Sequence, residues 1–234
     1  MKKKITNHLL PILSIIFLFS SCFLGDIGAD PDIIFKTYWT DDISNRDVKH
    51  ITTVNNDTLL FKKIKYVITD LKLINDKRVI KLDKSRIVNG WDYITFDSGY
   101  GGIYQISFNL GIEDINQDYN QLKAQNFDIE DGYYFLKMAF QNKTKDSIYN
   151  YNIAKKDSSS KISSFKITID GFNLSGGLFV NQAIIGVNLK NLFTKPNLIN
   201  IDSLIPGSIN NQELQLKMIE NAKNMFFLDR FEYD

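Results

Sequence analysis

Cys22 is the single cysteine of a 234-residue chain, and it closes the run Leu18-Phe19-Ser20-Ser21-Cys22. A thiol behind an apolar residue and two small serines is placed for acylation and exposure as a new N-terminus. Committed to that role, Cys22 leaves no thiol for a disulfide, a zinc site or a nucleophile. His8 falls upstream of it, so His50 is the one imidazole downstream. A Ser-His-Asp triad would have to use His50, and no nucleophile-elbow glycine pattern accompanies it. Oxygen side chains at every second position, Asp114, Asn116, Asp118 and Asn120, match the opening of a calcium loop, where alternate residues turn inward around a hard cation. Tyr119 stands where that loop needs glycine, and Gln125 where it needs a bidentate glutamate. The match is confined to the opening.

Carboxylates occur as neighbours in Asp41-Asp42, Glu113-Asp114 and Glu130-Asp131. Glycoside hydrolysis needs two carboxyls facing each other about 5–10 Å apart across a sugar. Adjacent acids belong more naturally to solvated turns, and they name no such pair. Tyr100, inside Ser98-Gly99-Tyr100-Gly101-Gly102, and Tyr133 in the Tyr133-Tyr134 pair are the candidate binding aromatics. Loops at a sandwich end commonly carry recognition.

The leader reads as an export signal. Lys2, Lys3 and Lys4 precede an apolar run over 9–19 that ends in the two serines. That run is about half the roughly 20 residues a bilayer span requires. Together with Cys22 it resembles the bacterial lipobox, which predicts a leader over 1–21, a lipid-anchored tether over 22–32, and one domain over 33–234. The expected location is a bacterial membrane, the outer membrane foremost, with the domain facing the periplasm or the cell surface. The leader holds three of the 28 basic residues and none of the 27 acidic ones, so the exported part nets about −2. No basic stripe of nucleic-acid type runs along it. A content of 44% hydrophobic and 24% charged residues suits a globular core.

Short β-branched and aromatic runs punctuated by turn residues position these groups. Strands are predicted over 33–39, 64–74, 79–82, 91–96, 103–110, 133–140, 147–154, 162–169 and 184–189. The period of two slips near Asp70, which predicts a bulge or bend. Asn75-Asp76 reads as a two-residue hairpin and Asp170-Gly171 as a turn. Asn210, three residues before Glu213, opens a helical pattern in which Leu214, Met218, Ile219, Ala222, Met225 and Phe226 share a face. The fold class expected is all-β: an antiparallel sandwich, Greek-key or immunoglobulin-like, with one C-terminal helix packed on it.

Five stretches carry a family resemblance: FKKIKYVITDLKL at 61–73, IYQISFNLGIED at 103–114, FDIEDGYYFLKM at 127–138, YNYNIA at 149–154 and IGVNLKNLF at 185–193. In this order the chain resembles the MbnP-like family, exported copper-associated β-sandwich proteins frequent among lipoproteins of Bacteroidota. The resemblance implies a sandwich fold and copper handling. Gly132, Tyr133, Phe135 and Lys137 keep the structural part of its signature. Phe127 and Ile129 replace the family's two tryptophans, and Asn152 replaces its histidine. Asn, Phe and Ile offer copper little, so no cofactor is expected. The reading is a lipid-anchored, non-catalytic binding or accessory module. Its partners are the bilayer, through the acylated N-terminus, and an unidentified protein, glycan or small ligand, with no nucleic acid. A copper-binding protein of that family is the first alternative, and a carboxylate-based glycan hydrolase the second.

Overall fold

The structure, a computed structural model, describes residues 32–39, 50–52, 57–82, 85–90, 94–97, 102–112, 122–125, 136–153, 155–156, 162–174, 181–200, 207–208 and 212–233. In chain order the strands begin with β1 (Asp32–Tyr38), β2 (His50–Thr52), β3 (Thr58–Ile74), β4 (Val79–Lys81), β5 (Arg86–Asn89), β6 (Ile94–Asp97) and β7 (Gly102–Leu110). β8 (Leu136–Asn142), β9 (Ser147–Ile153), β10 (Lys155–Lys156), β11 (Ile162–Ser163), β12 (Phe165–Leu174) and β13 (Asn181–Asn188) follow. The chain closes with α1 (Asn191–Thr194), β14 (Gly207–Ser208), α2 (Gln212–Ala222) and β15 (Phe226–Tyr233). Among the described residues no helix is long and apolar enough to cross a membrane.

The expected sandwich is present. One sheet runs β15-β13-β1-β6, and a nine-stranded sheet is built around β3. At Tyr66 the long strand is flanked by Leu136 of β8 and Val88 of β5, and at Ile68 by Leu110 of β7 and Arg86 of β5. Since β5 covers one edge at both points, β8 and β7 must lie end to end along the other. Residues 58–66 of β3 thus carry β8 and β9, and residues 68–74 carry β7 and β12.

Alternation decides which side chains meet between the sheets. Leu59 and Phe61, then Ile64, Tyr66 and Ile68, then Leu71 and Leu73 are the core positions of β3. The core parity flips twice, because Lys62 is an extra residue opposite β8 and Asp70-Leu71 bulge opposite β7. The slip expected near Asp70 is there, at a backbone φ of 50°. From the facing sheet, Phe35 packs edge-on against Phe108 at 5.2 Å, and Phe226 meets Phe108 at 5.1 Å. Trp39, Phe61, Phe140, Tyr149 and Phe193 continue the aromatic core toward α1.

Four local expectations are corrected. β1 pairs with β13, and β9 with β14, in parallel, so the sandwich is not antiparallel throughout. The helical pattern ends at Ala222, and Phe226 opens β15, an edge strand on β13. Asp170-Gly171 is a bulge inside β12, with Gly171 at φ 82°, where a register shift keeps the strand on β7. The β3–β4 connection has four residues rather than two. Asn75 accepts from the backbone N–H groups of Lys77 and Arg78 through its side chain, at 3.0 Å each.

Candidate binding face

Two groups of polar side chains stand out, one on the outer surface of each sheet. On the four-stranded sheet Tyr38, Asp229 and Arg230 meet. The Tyr38 hydroxyl donates to Asp229 Oδ2 at 2.5 Å, and Arg230 Nη1 donates to the same carboxylate at 2.6 Å and to the Tyr38 oxygen at 3.2 Å. Asp229 is the extra residue where β15 slips against β13, between the Ile184–Arg230 and Ile185–Leu228 pairs. The bulge re-aims its carboxylate. A Cβ on Gly186, between them, would stand 2.3 Å from the Phe227 ring. Only glycine lets that ring lie across β13 beside Tyr38, at 6.3 Å between centroids. Burial, then the Asp229 hydrogen bond, raises the Tyr38 phenol above its ordinary range. Each group satisfies another, so the cluster serves to clamp β15 to β1 across β13.

The outer face of the nine-stranded sheet is different. Strand register sets its side chains in three rows. His50, Leu60, Gln141 and Ile148 are directly opposed across β2, β3, β8 and β9. Lys63, Ala139 and Asn150 form the next row, with Lys62 beside them at the bulge. Asn89, Lys65, Lys137 and Asn152 form the third, across β5, β3, β8 and β9. Strand spacing makes each full row about 15 Å wide. His50, Lys62, Lys63, Asn150 and Asn152 are exposed, and Ile148 is 57% exposed.

Among the described residues the charges on this face have one sign. Among the described residues, Lys62, Lys63 and Lys65 make no ion pair. The amides of Asn150 and Asn152 bond to no other described side chain or backbone group. The nearest described carboxylates sit at the hairpin end: Asp146 accepts from Gln141 Nε2 at 2.6 Å, and buried Asp57 accepts from Asn142 Nδ2 at 3.2 Å. Farther along β3 the outer positions Val67 and Thr69 are buried, and Thr69 donates to the Gly111 carbonyl at 2.8 Å. Gln125 seals the neighbouring edge of β5, accepting from the Ile87 N–H at 3.1 Å and donating to the Ser85 carbonyl at 2.8 Å. The open part of the face is therefore the part carrying lysines and amides. Such groups can hold anions and hydroxyls by charge-assisted and neutral hydrogen bonds.

Cys22, Tyr100, Tyr133 and the series Asp114, Asn116, Asp118 and Asn120 lie outside the described residues, as do all three acidic pairs. His50 is described, exposed, on β2. Asn152, at the position of the resembled family's histidine, is on the outer face of β9, and Lys137 is directly opposite it. Among the described residues no three His, Cys, Asp or Glu side chains gather. The lysine and amide face was not anticipated from sequence. Its signal was the polar set Lys137-x-x-x-Gln141 and Asn150-x-Asn152, which alternates cleanly but does not reveal its neighbours. No family model, no curated protein and no solved structure matches the chain.

Proposed function

We propose that the chain is an exported lipoprotein, anchored through Cys22, that works as a binding or accessory module without chemistry of its own. The observation that carries the binding half is the open face of β3, β8 and β9, whose described charges have a single sign. It is polar, ordered by strand register, and not sealed by the chain as the neighbouring stretch at Val67 and Thr69 is. The anchoring half rests on the basic leader, the apolar run and the serines that precede Cys22. A single acyl chain holds a protein weakly at a bilayer, and two or three hold it firmly.

The test is membrane fractionation with a clickable fatty-acid label, on the wild type and on Cys22→Ser expressed in a bacterial host. Label and most of the protein are expected in the membrane fraction for the wild type, with both lost in the variant. Unchanged fractionation and labelling of Cys22→Ser would sink the assignment.

A further inference from the structure

The geometry points to an acidic polysaccharide as the ligand of the β3–β8–β9 face, held by Lys62, Lys63 and Lys65 with Asn150 and Asn152 beside them. This deepens the binding-module reading and rests on it. The exported chain is close to neutral overall, yet among the described residues this face shows ammonium groups and no carboxylate until its rim at Asp146. Segregated charge of this kind selects and steers a partner of opposite sign. The ammonium groups are point charges on flexible stems, suited to carboxylates spaced along a mobile polymer. Amides beside them both donate and accept, as polyol hydroxyls require. The rows run across three to four strands, a span that fits an extended chain better than a small molecule.

Two other anionic partners fit less well. Single-stranded nucleic acid is held by series of aromatic platforms, and among the described positions of this face His50 is the one ring, beside Leu60 and Ile148. A bilayer would be met on the side where an N-terminal anchor enters. Asp32 begins β1 in the other sheet, and the lysines lie on the far side of the sandwich from it.

Affinity electrophoresis of the purified full-length chain through gels holding polygalacturonate, dextran or single-stranded DNA tests the assignment, alongside co-sedimentation with phosphatidylglycerol vesicles. Retardation by polygalacturonate, weakening with salt, is expected. The triple variant Lys62→Glu, Lys63→Glu, Lys65→Glu should bind at least tenfold more weakly, and Lys195→Glu with Lys223→Glu, on the helical side, should bind as the wild type. Asn150→Ala with Asn152→Ala leaves the charge unchanged and should still lose several-fold. Equal retardation of the triple variant, or stronger binding to DNA or to vesicles, overturns the inference. Binding to dextran through the same residues overturns it too, while leaving the broader binding-module reading standing.

Discussion

Tyr151 and Asn221 are both buried, and their polar atoms fare differently. The Asn221 amide donates to the Leu192 and Asn197 carbonyls at 2.8 Å each, and its oxygen accepts from the Asn197 N–H at 2.8 Å. It ties α2 to α1 and to the segment after it. The Tyr151 hydroxyl is buried and has no hydrogen-bond partner. Losing a satisfied buried amide strands its partners, whereas removing an orphaned hydroxyl strands nothing. Asn221→Ala should therefore destabilise the chain by about 2–3 kcal/mol, and Tyr151→Phe should raise stability by up to about 1 kcal/mol. Denaturant midpoints check both, and a Tyr151→Phe variant less stable than the wild type would refute the contrast. The sequence places Tyr151 in the strand expected over 147–154, and the structure buries it with Tyr149 and Ile153. The role of Asn221 is not legible in sequence, because its partners lie 24 and 29 residues away.

β3 shows how one element organises many. Its seventeen residues keep the core side supplied only because two bulges reverse the alternation and then restore it. A one-residue slip moves every following side chain to the other face. Asp70 holds the second bulge with φ 50°, a region costly to residues with a branched Cβ. Asp70→Val should cost about 1–2 kcal/mol, and Asp70→Gly should be tolerated; thermal unfolding of the two variants separates backbone strain from loss of the carboxylate. The slip at Asp70 was visible in sequence because apolar residues resume there on the opposite parity. The slip at Lys62 was hidden, since two lysines in a row read as an ordinary polar stretch. The helix end is ambiguous in sequence for a related reason: Met225 and Phe226 suit a helix face and a strand equally. β13 decided for the strand by offering Val187 as partner to Phe226.

For the whole molecule, buried phenols set the alkaline limit. Burial raises Tyr66 and Tyr151 well above their ordinary range, and burial with the Asp229 hydrogen bond raises Tyr38. The unfolded chain releases these protons near pH 10, the folded chain only above it. The stability they contribute is whole below about pH 10 and is lost as pH rises through the native-state values. Denaturant midpoints should fall above about pH 10, and native phenolate absorbance should lag the unfolded chain by about three tyrosines; full titration with native circular dichroism would refute this. Composition, alternation and turn residues were enough to specify an all-β sandwich with one helix, and most core positions, because burial on a pleated sheet is a local period-two property. Only the tertiary structure decided that β1 lies parallel to β13 and that Lys62, Lys63, Lys65 and Lys137 share one open face with Asn150 and Asn152. Pairing between distant strands is chosen by packing across the whole core, and no short stretch of sequence contains that information.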